Sequence, residues 1–201
     1  MRVGVLGGTF DPIHLGHLAA AEAAIDCADL EKVLIMPSAK PPHRPGAIAT
    51  AEQRLAMCRL AIEGLPRLEV SDVEVRHGGR SYTVDTLVEL KRLEPQDELF
   101  LILGWDAAAL FATWHEAAKV RSLASVVVIS RPGTPTPGAE QLAAVGLDVE
   151  RTVLCLRPTP DISGSALRRS IAAGEPVAGR VPPAVERYIA SRALYGDNPR
   201  S

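Results

Sequence analysis

The chain has 201 residues, with 22 Lys and Arg against 24 Asp and Glu for a formal charge of −2, and 47% of it is hydrophobic. At roughly 100 to 200 residues per domain, this length suits a single domain spanning 1–201, with enough apolar side chains for a core that needs no staples. The near-neutral balance excludes bulk nucleic-acid binding, which needs a basic excess, and the longest apolar runs, such as Ser125 to Ile129, fall far short of the roughly 18 to 20 residues of a bilayer span.

Met1 to Leu6 runs directly into an apolar strand with no charged, apolar and cleavable leader, so a cytoplasmic location is expected. Candidate strands follow at Arg2 to Leu6, Lys32 to Met36, Leu68 to Val73, Leu99 to Leu103, Ser125 to Ile129 and Thr152 to Leu156. Their nearly continuous apolar character suits strands covered on both faces. Between them lie candidate helices at Gly16 to Ala28, Ala51 to Glu63, Val84 to Leu93, a short piece after Trp105, Ser165 to Ala173 and Pro183 to Arg192. Thr50-Ala-Glu-Gln53 reads as a capping box for the second helix. The alternation predicts an α/β fold, a doubly wound parallel sheet with a small C-terminal helical part over 161–196. Pro37 to Gly46 and Arg131 to Gly138 each follow a strand, where loops of an open parallel sheet border the ligand crevice. The tail from Asp197 to Ser201 is expected to fray. Cys27, Cys58 and Cys155 are odd in number, far apart and without metal-ligand spacing, so buried reduced thiols are expected.

The chemistry concentrates in Gly7-Gly-Thr-Phe-Asp-Pro-Ile-His-Leu-Gly-His-Leu18, between the first strand and the first helix. Gly7 and Gly8 let backbone come close to a ligand and free amide N–H groups for anionic oxygens. His14 and His17, three apart, can share one side of the first helical turn, where the helix dipole also favours anions. The glycines form neither GxGxxG nor a Walker A loop, which removes support for hydride transfer and P-loop hydrolysis. A second segment, Asp161-Ile-Ser-Gly-Ser-Ala-Leu-Arg-Arg169, offers Ser163 as a helix N-cap, a further hydroxyl in Ser165 and a forked donor in Arg168. Arg169 is left as a surface charge.

These two segments resemble the HxGH and ISxTxxR signatures of the nucleotidyltransferase superfamily, with Ser165 in the usual Thr position. Four middle segments are similar to bacterial nicotinate-nucleotide adenylyltransferases: Pro41-Pro-His-Arg44, Ser81-Tyr-Thr-Val-Asp-Thr-Leu87, Gly104-Trp-Asp106 with Trp114, and Ser130-Arg-Pro-Gly133. So is the C-terminal run from Val181 to Ile189 ending in Leu194-Tyr-Gly196. The resemblance implies a Rossmann-like fold and adenylyl transfer from ATP to nicotinate mononucleotide, giving the deamido dinucleotide and pyrophosphate in NAD biosynthesis.

By that resemblance Gly7, Gly8, Thr9, Phe10, His14, His17, Ile162, Ser163, Ser165 and Arg168 would bind ATP, with His14, His17 and Arg168 catalytic. His43, Thr83, Asp106, Trp114 and Arg131 would bind the mononucleotide: Trp114 stacked on the pyridine ring, Thr83 on the carboxylate, Asp106 on a ribose hydroxyl, and His43 and Arg131 near the phosphates. Mg2+ would be carried by the ATP phosphates rather than by a protein cage. Neither nucleic acid nor membrane is expected as a partner, and a homo-oligomer is left open. Nicotinamide mononucleotide or phosphopantetheine as acceptor, and a non-catalytic adenylate sensor, stay open as alternatives. Lys40 is a weaker candidate in the loop of His43 and Arg44. Trp105 departs from the family's small or polar residue in GxD. Asp11-Pro12, Asp72, Asp85, His77 and His115 are read as structural or solvated.

Overall fold

A computed structural model describes residues 1–40, 47–79, 81–130 and 136–196. Six strands, β1 (Arg2–Gly8), β2 (Lys32–Pro37), β3 (Leu68–Val70), β4 (Glu98–Gly104), β5 (Ala124–Ile129) and β6 (Thr152–Cys155), form one parallel sheet in the order β3-β2-β1-β4-β5-β6. This is the expected α/β, Rossmann-like architecture. The strand order reverses between β1 and β4, and there the pairing also stops early. β1 follows β2 out to Gly8 opposite Pro37 and β4 follows β5 out to Gly104 opposite Ile129, but β1 pairs with β4 only from Arg2 to Val5. The two central strands therefore part at their carboxyl ends, which opens a crevice at the switch point.

Nine helices among the described residues flank the sheet: α1 (Leu15–Cys27), α2 (Ala51–Ala61), α3 (Val73–His77), α4 (Thr83–Leu93), α5 (Trp105–Ala108), α6 (Ala117–Leu123), α7 (Ala139–Ala144), α8 (Gly164–Ala172) and α9 (Pro183–Ser191). α2 starts on the expected capping box, Gln53 N–H donating to Thr50 Oγ1 at 3.2 Å and Thr50 N–H to Gln53 Oε1 at 2.9 Å. Two apolar clusters lie on the two faces of the sheet. One joins Phe10, Ile13, Leu18 and Ala24 to Leu167, Val185, Ile189 and Tyr195, so the C-terminal helices share the core of α1. The other gathers Val84, Leu87, Leu90, Phe111, Val120 and Leu142 over β4 and β5. No helix among the described residues is long and apolar enough to cross a membrane.

Three expectations are corrected. The third strand ends at Val70 rather than Val73, because its pairing with β2 stops at Ile35 opposite Val70 and Val73 enters α3. α6 and α7 were not anticipated: each has one wholly buried position, Val120 or Leu142, too few for a readable period. The cysteines are not all reduced, since packing α1 across β6 brings Cys27 and Cys155 to a Cα separation of 5.6 Å and they form a disulfide, leaving Cys58 as a buried thiol. Burial pushes the Cys58 thiol well above its ordinary range.

Candidate active site

The chain leaves β1 through Gly7, whose missing side chain faces open space, and Gly8, where a Cβ would stand 3.0 Å from the Phe10 ring. Phe10 takes a positive φ of 49° and turns its ring inward, 2% exposed and edge-on to His17 at 4.9 Å between centroids. The buried Phe10 ring supports His17 from the core side. His14 is the N-cap of α1, and its backbone N–H donates to His17 Nδ1 at 3.2 Å. With Nδ1 accepting, the proton of a neutral His17 ring is on Nε2, which makes that atom a donor. The two imidazoles stack at 3.6 Å with planes 22° apart. Gly16 is required between them: a Cβ there would lie 3.1 Å from both His14 Nδ1 and the Pro160 carbonyl.

That carbonyl belongs to the segment leading into α8, so the two motifs from opposite ends of the chain touch. Ser163 occupies the N-cap position of α8, but its hydroxyl does not cap the helix backbone as expected; it pairs with Ser165 Oγ at 2.8 Å, and both serines are exposed. Two hydroxyls and the first-turn amides thus stand together at the positive end of a nine-residue helix. Ile162 anchors the turn by packing on the first core cluster. Arg168, one turn along, donates from Nη1 to the Asp11 carbonyl at 2.7 Å, and its side chain is 28% exposed.

Sequence reasoning missed the group beneath these donors. Asp11, read as structural or solvated, is 5% exposed and accepts from Ile48 N–H at 2.8 Å, Ala49 N–H at 3.1 Å and Tyr195 Oη at 2.7 Å. Arg54, 1% exposed, donates to the carbonyls of Thr9 at 2.6 Å, Ser38 at 2.7 Å, Ala39 at 3.2 Å and Ala49 at 3.3 Å. Desolvation lowers the Arg54 pKa, with Asp11 the largest opposing influence; burial first, and then the Asp11 bond, raise that of Tyr195. One signal was available: Arg54 falls in the stripe of Met57, Cys58 and Ala61, a cation on the buried face of α2. Among the described residues no three His, Cys, Asp or Glu form a group able to hold a metal, and the Asp11 carboxylate is already engaged by three donors.

Across the crevice, β4 ends at Gly104, where an added Cβ would meet nothing within 4 Å, and Asp106 is exposed in the first turn of α5. Trp105 is half-buried against the second core cluster, which accounts for its tolerance in place of a smaller residue. Trp114 closes the turn after Phe111–Thr113, half-buried, with its ring 5.5 Å from that of Phe111. Thr83 opens α4 and is half-buried, and the preceding Tyr82 ring lies 4.5 Å from His115. That contact draws the start of α4 to the segment carrying Trp114, so His115 has a structural partner. Below it Thr86 Oγ1 donates to Glu74 Oε1 at 2.6 Å, and burial raises the Glu74 pKa against that bond and one from Ser81. His43, Arg44 and Arg131 lie outside the described residues.

A family model described as cytidylyltransferase-like matches residues 5–170. The chain is 45% identical over 195 residues to a Thermus thermophilus protein named "Probable nicotinate-nucleotide adenylyltransferase", covering 97% of this chain and 100% of that one. A Herpetosiphon aurantiacus protein of the same name is 41% identical over 194 residues, with 96% and 98% covered. Among solved structures, nicotinic acid mononucleotide adenylyltransferase of Plasmodium falciparum, complexed with NaAD, superposes with a TM-score of 0.79 at 18% identity, covering 96% of this chain and 97% of that one.

Proposed function

The chain belongs to the nicotinate-nucleotide adenylyltransferase family of cytidylyltransferase-like proteins, and from that premise we propose that it joins the adenylyl group of ATP to nicotinate mononucleotide. The mononucleotide phosphate attacks the α-phosphorus in line, the bond from that phosphorus to the bridging oxygen breaks, and pyrophosphate leaves with the electron pair. The attacking phosphate is already an anion, so a general base has little to remove. Orientation and stabilisation of charge on the transferring group carry the reaction.

The observation that supports this reading best is the meeting of the two motifs at Asp11 and Gly16, beside the crevice where β1 and β4 part. His17 Nε2–H and the guanidinium of Arg168 serve as donors to the transferring and leaving phosphates. His14 backs His17 through the ring stack and its amide. Gly7, Gly8, Thr9 and Phe10 bring backbone close to ATP, with the Phe10 ring remaining in the core. Ser163 and Ser165, held by Ile162 and the turn it anchors, bind phosphate oxygens. Mg2+ carried by the ATP phosphates, rather than by a protein cage, would supply charge neutralisation there.

For the acceptor, the indole face of Trp114 stacks on the pyridine ring, and the hydroxyl of Thr83 with the amides opening α4 holds the carboxylate, an anion at a helix N-terminus. Asp106 takes a ribose hydroxyl, and His43 and Arg131 are assigned to the mononucleotide phosphate. We place the enzyme in the cytoplasm with its two nucleotide substrates and treat 1–201 as one functional unit. The test is incubation with ATP and magnesium plus nicotinate or nicotinamide mononucleotide, with dinucleotides separated chromatographically and pyrophosphate counted. Product chiefly from the nicotinate form is expected. Product chiefly from the amide would overturn the role of Thr83, and none from either would overturn the reaction.

A further inference from the structure

Asp11, Arg54 and Tyr195 lie beneath the phosphate end, each 6% exposed or less, and none of them is among the donors assigned to substrate. Tyr195 follows α9 with a φ of 64°, and its hydroxyl reaches back to the Asp11 carboxylate, 184 residues earlier in the chain. Arg168 meets the same residue in two ways: Nη1 donates to the Asp11 carbonyl at 2.7 Å and stands 3.9 Å from Oδ2. Arginine forms its strongest pairs bidentately with carboxylates. A small rotation of the Asp11 side chain would therefore tighten this ion pair and draw the guanidinium away from phosphate. Three donors oppose that rotation: the amides of Ile48 and Ala49 and the Tyr195 hydroxyl. The amides belong to the backbone before α2, so the hydroxyl is the one side-chain restraint among these three.

We infer that Tyr195 is a positioning residue for adenylyl transfer: by holding the Asp11 carboxylate it keeps Arg168 on the Asp11 carbonyl and leaves the other guanidinium N–H groups for phosphate. The inference rests on the adenylyl-transfer reading of the site. It makes the last described turn of the chain part of the machinery at the first strand, although Tyr195 touches no substrate.

Tyr195→Phe removes the hydroxyl and keeps the ring in the core. Steady-state kinetics with each substrate, and a melting temperature, are measured for the wild type, Tyr195→Phe, Arg168→Ala and the double variant. The expected result is a fall in kcat of about tenfold for Tyr195→Phe, with KM for the mononucleotide within about twofold. When Arg168 is already Ala, the same substitution should cost less than about twofold, because coupled residues are non-additive. An equal fall in both backgrounds, or no fall beside an intact Arg168, overturns the inference. If Tyr195→Phe does not fold, Tyr195→Leu, which also lacks the hydroxyl and keeps an apolar side chain in the core, enters the same cycle and is read by the same two outcomes. A folded wild type that makes no dinucleotide from ATP with either mononucleotide overturns the reaction itself, and the positioning role with it.

Discussion

At the end of the crevice assigned above to the phosphates, Asp11, Arg54 and Tyr195 are 5%, 1% and 6% exposed and bind together the HxGH loop, the residues around Ser38 and Ala49, α8 and the C-terminal turn. At the opposite end, Thr83 and Trp114 are half-buried, Asp106 is exposed, and Trp114 and Tyr82 meet Phe111 and His115 through ring contacts. On the function proposed above, the difference follows the chemistry asked of each end. Charge developing during phosphoryl transfer is stabilised by donors whose positions are set beforehand, so their supports are buried and hydrogen-bonded. A planar ring is recognised by an aromatic face that must remain open to receive it.

This contrast can be broken from either side. Arg54→Met should have the largest effect, on stability: four carbonyls lose their donor and the buried Asp11 loses a neighbouring cation, for a cost of about 3 to 5 kcal/mol. Denaturant unfolding checks it, and a loss below about 1 kcal/mol would show that the buried hub does not hold the site. His17→Ala should cost about 1 kcal/mol of stability through the lost N-cap bond and slow turnover by roughly 100 to 1000-fold, about 2.7 to 4 kcal/mol, as expected for one well-aimed donor. Steady-state kinetics decide, and a change under about threefold in a folded variant would remove His17 from the mechanism.

Trp114→Ala tests the opposite end. KM for the mononucleotide should rise about tenfold, in line with roughly 1 to 2 kcal/mol of ring stacking, while KM for ATP holds. An equal rise for both substrates would mean that the ring supports the fold instead. Glu74→Gln should give the smallest effect, visible only as a slope. Because burial raises the Glu74 pKa, the folded state holds its proton more tightly than the unfolded chain, so the Glu74 contribution is lost as pH rises through the folded pKa. The variant should therefore be relatively more stable above that range and lose less stability between mildly acid and neutral pH. Melting temperatures across that interval would refute this if the two slopes coincide.

Much of the architecture was legible from pattern. The six strands were located because continuous apolar runs of strand length leave little choice once both faces are covered, and the capping box at Thr50 and Gln53 is a local event between neighbours in the chain. The HxGH and ISGSALR segments were recognised by their resemblance to family signatures, and the local arrangement, a glycine loop entering a helix and a serine at a helix start, is short-range. Ser163 marks where local reasoning stops. Its position at the N-cap was readable, but its hydroxyl turned to Ser165, a choice between two nearby partners that spacing does not decide.

What the sequence determined by itself was the α/β class, the sites of its loops and the residue types able to hold phosphate, because periodicity, glycine placement and capping act over a few residues. Only the tertiary structure decided that Cys27 bonds Cys155, that Phe10 supports His17 from the core, and that Asp11 is held by Tyr195 while Arg168 is held by Asp11. Those contacts join positions more than a hundred residues apart, or set a ring against the core rather than the crevice. They arise from the way strand order and helix packing bring distant segments together, and no local pattern in the chain records that.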